Sequence, residues 1–312
     1  MEHETAFVFP GQGSQYSGMG KDVADAFPAA RRVFDDIDAA LGFPISQLCF
    51  EGPDEQLKLT ENTQPAILAV SSAIHAVLEE RAATRRDVVA GHSLGEYSAI
   101  VSVGGLTPAE AAQIVRMRGR FMQDAVPAGT GGMAALIGPS VDDARAICEE
   151  AAEGDVLSVA NINAPGQIVI AGTKAAIDRA IVVAKAHGVR RALPLPVSAP
   201  FHCELMKPAE ERLRPLLDEA HFKDLWMSLV SNVDASQIGT ATAVRNALVR
   251  QVVSPVRWVE SVQKMIAMGV RRFVEIGPGN VLTGIIKRID SSVELINVSD
   301  VPSIEKFVES VR

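Results

Sequence analysis

Residues 88–100, VVAGHSLGEYSAI, change period halfway along. Val88, Val89 and Ala90 favour a strand, Gly91-His92-Ser93-Leu94-Gly95 follows, and the remainder reads as helix. GxSxG between a strand and a helix is the pattern of a nucleophile elbow. A strand-to-helix turn this tight brings backbone so close that side chains at positions 91 and 95 would clash, so glycine stands there. The bend lifts the serine oxygen above the sheet and aims it at a helix N-terminus, where free N–H groups stabilise negative charge. A chance glycine–serine turn is the alternative.

Outward from the elbow, short apolar runs alternate with longer amphipathic ones: TAFVFP, a helix from about Lys21, a helix around Gln64 to Arg81, then the elbow strand. That alternation predicts an α/β protein with a mainly parallel sheet. Thr107, Pro108 and Glu110 mark a capped helix start that runs to Val126. After GTGG (129–132) the order becomes βαββαβ, the split βαβ of ferredoxin-like domains. LWMSLVSN and RRFVEIG then resume the earlier alternation. The expected organisation is a discontinuous large α/β domain, 1–128 and 199–312, carrying a small ferredoxin-like subdomain, 129–198.

The composition narrows the class. A net charge of −8 and 5% aromatic residues over 312 positions argue against a nucleic-acid binder. The three cysteines are odd in number and widely spaced, so neither a disulfide framework nor a CxxC metal site is expected. No basic leader or apolar run of membrane-spanning length occurs. A soluble, cytoplasmic protein is the expectation.

A serine hydroxyl is a weak nucleophile and needs a base. Among six histidines, His3 lies at the terminus, His75 within a helix, His187 beside a helix end and His221 in a polar stretch. His92 adjoins Ser93, but successive side chains on such a bend diverge. His202, in PVSAPFHCELM, sits at the expected domain junction, where clefts form. A buried structural histidine is the alternative reading. The acids between 94 and 201 fall mainly on polar helix faces, so none completes a triad, and a backbone carbonyl orienting His202 gives a Ser–His dyad.

On the helix from Pro108, Ala111, Ile114, Val115, Met122 and Ala125 form an apolar stripe at about 100° per residue. Arg116 and Arg120 fall on the polar side, whereas Arg118 falls within the stripe. A guanidinium buried there needs an anion. A core carboxylate is one candidate. A substrate carboxylate, gripped bidentately, is the other, and it suggests an acyl group carrying a free acid.

With these residues in place, the chain resembles bacterial malonyl-CoA:acyl-carrier-protein transacylases from end to end. The resemblance rests on FVFPGQGSQ, TQPAI, GHSLGEY, RMRG, VANINAPGQIVIAG, LPVSAPFHCELM, VSNVDA, SPVRW and EIGPGNVLTGIIKR. It implies a hydrolase-like α/β domain with a ferredoxin-like insert. It also implies malonylation of Ser93, His202 as base and then acid, and a grip of Arg118 on the malonyl carboxylate. By the same resemblance, the N–H groups of Gln12 and Leu94 form the oxyanion hole and the Gln251 carbonyl orients His202. Asn161, Asn163 and Phe201 shape the cleft, with Phe201 crowding substituents on the malonyl α-carbon. The implied partners are malonyl-CoA and an acidic acyl carrier protein. No cofactor beyond the coenzyme A thioester substrate, no metal and a monomeric state are expected. Docking an acidic carrier on a net-negative enzyme calls for a local basic patch, for which Arg190, Arg191, Lys287 and Arg288 are candidates and a merely solvated surface the alternative. Acyltransferases of polyketide synthesis or malonate decarboxylation would share nearly every residue named. A serine hydrolase would share Ser93 and His202 but would have no use for Arg118. A non-catalytic interaction protein would leave elbow, histidine and arginine as coincidences.

Overall fold

The apolar run near the N-terminus is β1 (Glu4–Phe9), the third strand of a six-stranded sheet. The computed structural model describes residues 4–82, 86–197 and 199–311; His3 and position 198, at the expected domain boundary, lie outside them. The remaining strands of this sheet are β2 (Val88–Gly91), β7 (Leu229–Val230), β8 (Gln237–Ile238), β9 (Val270–Ile276) and β10 (Glu294–Val298). Their order is β10-β9-β1-β2-β7-β8, parallel except for the final β7–β8 pair.

Both faces of this sheet are covered, which is why its strands read as continuous apolar runs. Along β1 the side chains alternate: Phe7 and Phe9 pack with Ile67, Val70 and Ile74, whereas Ala6 and Val8 pack with Trp258, Val262 and Met265 on the other face. Burying each phenylalanine contributes about 2–3 kcal/mol. Ala6 pairs with Val88 and Phe9 with Gly91, so both strands end together and the elbow emerges at the carboxyl edge of the sheet. Crevices at that edge are where open α/β sheets bind ligands.

The Thr60–Arg81 helix is buried along most of its length, and the Pro108–Asp124 helix crosses it closely. A Cβ on Gly119 would lie 2.5 Å from the Thr60 carbonyl oxygen, so only glycine permits this approach. Thr107 and Glu110 form the expected capping box. The helix buries a wider face than the expected stripe, adding Ala112, Gly119 and Phe121, while Ala125 caps the helix half-buried. Arg116 departs from its expected solvated place: it is half-buried, its guanidinium 3.9 Å from the Phe43 ring centroid and 3.3 Å from the Leu41 carbonyl oxygen.

A second sheet contains β3 (Gly131–Ile137), β4 (Leu157–Ala164), β5 (Gln167–Thr173) and β6 (Arg191–Pro194), all antiparallel in the order β4-β5-β3-β6. With the Val141–Ala152 and Lys174–Ala186 helices this is the expected ferredoxin-like unit. Ala134, Leu136, Ile168 and Ile170 face those helices. Their neighbours Met133 and Val169 face the opposite way, into the cleft above Ser93. Val256 ties the two sheets together: its carbonyl accepts from Ile162 N and its N–H donates to the Ala160 carbonyl, both at 2.9 Å.

Candidate active site

The elbow is as tight as its glycines imply. A Cβ on Gly91 would lie 2.0 Å from the Gly95 carbonyl carbon, and one on Gly95 would lie 2.1 Å from the Phe9 oxygen. Ser93 itself adopts φ 51°, a left-handed conformation costing a non-glycine residue about 1–2 kcal/mol. Asn232 holds this strained turn from both sides. Its Oδ1 accepts from Ser93 N at 2.7 Å, and its Nδ2 donates to the Gly91 carbonyl at 2.7 Å.

His202 is also left-handed, at φ 61°, and almost fully buried. Its Nε2 lies 2.8 Å from Ser93 Oγ and its Nδ1 lies 2.9 Å from the Gln251 carbonyl oxygen. A carbonyl can only accept, so Nδ1 carries the proton and Nε2 offers its lone pair to the serine hydroxyl. That is the geometry of a general base, with a carbonyl where hydrolases place an acid. Burial, reinforced by the charge of Arg118, pulls the imidazole down to about 3, so it stays neutral at ordinary pH. The side chain of His92 does diverge from that of Ser93. Its Nε2 donates to Asn163 Oδ1 at 2.8 Å, fastening β4 to the elbow.

Arg118 is 1% exposed. Nη1 donates to Gln64 Oε1 at 2.7 Å, and Nη2 donates to Gln251 Oε1 at 2.9 Å and to Ser93 Oγ at 3.3 Å. No carboxylate lies within ion-pair distance of it among the described residues, and its Nε has no partner there. The buried cation therefore faces the nucleophile with neutral amides for company. Glu96, in contrast, corrects the expectation that acids here sit on polar faces: it is wholly buried, 2.5 Å from Gln251 Nε2 and 3.3 Å from Asn232 N.

Above Ser93 lies a cleft of about 180 Å³ lined by Gln12, His92, Asn161, Asn163, Phe201 and His202, with Met133 and Val169 from the second sheet. Among the described residues the N–H groups of Gln12 and Leu94 have no protein acceptor. A larger hollow, about 410 Å³ between Cys148, Val159 and Val253, reaches His202 from another side but does not touch Ser93. The four basic residues lie outside the cleft, all exposed. Arg288 bonds the side chain of Gln167, next to the β4–β5 turn. Gly166 in that turn accepts from Gly138 N at 2.8 Å, and Arg190 packs on Gly138. One arginine of each basic pair, Arg190 and Arg288, thus lies near this turn. No group of side chains among the described residues is suited to hold a metal, and no helix there is long and apolar enough to cross a membrane.

The acyl transferase domain family matches residues 6–306. The chain belongs to that family. Among acyl transferases, it is 50% identical over 286 residues to the malonyl CoA-acyl carrier protein transacylase of Escherichia coli K12, covering 91% of this chain and 92% of that one. It is 46% identical over 308 residues to the enzyme of the same name from Bacillus subtilis 168, covering 98% and 97%. It also superposes, with a TM-score of 0.96 at 45% identity, on a malonyl-transacylase solved in complex with a type II PKS acyl-carrier protein, covering 98% of this chain and 99% of that one.

Several residues of this acyl transferase site escaped the sequence reading. TQPAI carries Gln64 and VSNVDA carries Asn232, but nothing in those runs signals that one orients Arg118 and the other braces Ser93. The family resemblance gives Gln251 only a carbonyl role, whereas its side chain also joins Arg118, Glu96 and the Ser93 carbonyl. The signal for Glu96 is its place: three residues past the nucleophile, it is the one charged residue of a short helix whose other members are small, apolar or weakly polar.

Proposed function

We propose that this protein transfers a malonyl group from malonyl-CoA to the phosphopantetheine thiol of an acyl carrier protein through a malonyl-Ser93 ester. One observation carries the choice of acyl group: the Arg118 guanidinium is buried, has no carboxylate within ion-pair distance among the described residues and sits 3.3 Å from Ser93 Oγ. Only a methylene separates the two carbonyl carbons of a malonyl ester, so its free carboxylate falls within reach of that cation. An acetyl group would leave the guanidinium without an anion in direct contact.

In the first half-reaction His202 takes the Ser93 proton as Oγ attacks the thioester. The tetrahedral oxyanion rests on the N–H groups of Gln12 and Leu94, each such donor being worth about 3 kcal/mol. The thiolate of coenzyme A leaves with the proton held by His202. In the second half the carrier thiol attacks the ester and His202 acts in reverse order. The Gln251 carbonyl fixes the imidazole tautomer throughout. A carboxylate on Arg118 also offsets the charge that disfavours imidazolium, so the substrate eases the proton transfer it requires.

Phe201 crowds substituents on the α-carbon, and Asn161 and Asn163 shape the cleft wall. The chemistry is assigned to the chain's own side chains, with coenzyme A arriving as part of the substrate. Residues 129–198 form a small ferredoxin-like subdomain inserted in the large domain, 1–128 and 199–312. The basic residues Arg190, Arg191, Lys287 and Arg288 receive the acidic carrier. A polyketide carrier is a second candidate acceptor, favoured by the likeness to the transacylase solved with a type II PKS carrier.

Mass spectrometry of peptides after incubation with malonyl-CoA tests the proposal. A malonyl adduct on the Ser93 peptide, lost in Ser93→Ala, is the expected result; an adduct elsewhere or none at all defeats it.

A further inference from the structure

Glu96 and Arg118 are opposite ends of one amide. Gln251 Nε2 donates to Glu96 Oε2 at 2.5 Å, and Gln251 Oε1 accepts from Arg118 Nη2 at 2.9 Å. Both charged groups are buried, at 0% and 1% exposure, on neighbouring helices behind the nucleophile. Across Gln251 the carboxylate and the guanidinium balance one another. A malonyl ester on Ser93 brings a second carboxylate to the other side of the same guanidinium, leaving two anions and one cation out of water. Such a cluster is relieved by protonating one carboxylate.

Resting on the transferase reading above, we propose that Glu96 is a positioning residue that serves as the resident counter-charge of Arg118 and takes up a proton when Ser93 becomes malonylated. The group is poised for this. Burial pushes its carboxyl up to about 7, opposed by Gln251, Asn232 and Arg118 and assisted by Asp234. Among the described residues, the other groups facing it keep their charge near neutrality. Asp234 is held ionised by Arg250, Tyr97 is kept neutral by burial, and His202 stays neutral down to about 3. His92 is likewise held low by burial.

The step balances. The Oγ–acyl bond forms, the C–S bond breaks, and the serine proton passes through His202 to the departing thiolate; the additional proton, on Glu96, comes from the buffer. Acyl exchange between serine and coenzyme A is otherwise proton-neutral below the thiol pKa of about 8.5. Its equilibrium constant is then flat with pH unless a protein group shifts on loading.

The test equilibrates the full-length enzyme with fixed ratios of malonyl-CoA to coenzyme A, or acetyl-CoA to coenzyme A, from pH 5.5 to 8. Intact mass spectrometry reads the acylated fraction. The expected result is a malonyl loading constant that falls about tenfold between pH 6 and pH 8 while the acetyl constant stays level, with the slope abolished in Glu96→Gln. A level malonyl profile, or an acetyl profile of equal slope, overturns the inference; the wild-type comparison decides it even where the variant does not fold. Absence of any malonyl adduct at every pH would instead overturn the transferase reading.

Discussion

Asn232 shows how much of this site depends on single side chains. Its side-chain amide braces the left-handed Ser93 and ties down Gly91, while its backbone N–H donates to Glu96. Truncation leaves Ser93 N and the Gly91 carbonyl without these partners, at about 1–3 kcal/mol for each group that stays buried and unpaired. Asn232→Ala is expected to lower kcat for malonyl transfer roughly 10- to 100-fold while leaving KM for malonyl-CoA nearly unchanged, because Arg118 keeps its place. Steady-state kinetics check this, and an unchanged kcat would show that the elbow holds its shape alone. At this scale the sequence announced Ser93, His202 and Arg118, each a chemically conspicuous residue in an unexpected setting. It did not announce Asn232, Gln64 or the Gln251 side chain. Neutral amides suit loops and surfaces equally well, and their work here depends on partners up to 158 residues away.

Among elements, boundaries were legible where local physics sets them and lost where tertiary contacts do. The capping box at Thr107 and the glycine-framed elbow are written in adjacent residues. The breadth of the buried face on the Pro108–Asp124 helix is not, since it depends on the close crossing at Gly119. The β4–β5 turn and the Val281–Ile289 helix illustrate the same point, because only folding brings Arg190 and Arg288 to one turn. Reversing charge at Arg190 and Arg288 together is expected to raise KM for the carrier protein at least several-fold at low salt, with transfer to a small thiol unaffected. Equal loss with both acceptors would assign these arginines to fold stability instead.

For the whole molecule, the α/β class and the ferredoxin-like order followed from the period of the apolar runs, whereas the sheet order did not, since strand neighbours are chosen by packing. The buried titratable groups set an acid limit on stability. His75, His92 and His202 are all held below the ordinary imidazole value of 6.5 by burial, His75 to about 4 and His202 to about 3. Below pH 6.5 the unfolded chain binds protons that the folded one refuses, so this stability is lost as pH falls. Glu96 and Glu275 act in the opposite sense, raised by burial, and their contribution is lost as pH rises, for Glu96 through about 7. Three imidazoles outweigh two carboxyls between pH 4.5 and 6.5. Thermal denaturation followed from pH 6.5 to 5 should therefore give a falling Tm; a rising one would mean that these histidines are not buried neutral.

Selection of a malonyl group turns on Arg118 reading a substrate carboxylate beside Ser93. The most direct measurement is a competition between malonyl-CoA and acetyl-CoA for acylation of Ser93, in the wild-type enzyme and in Arg118→Ala. The wild type should favour malonyl strongly, and the variant should lose malonyl loading by about 100-fold or more while keeping or gaining acetyl loading, as expected for removal of one charge-assisted bidentate contact. A variant that keeps its preference for malonyl, or loses both acyl groups equally, would contradict it.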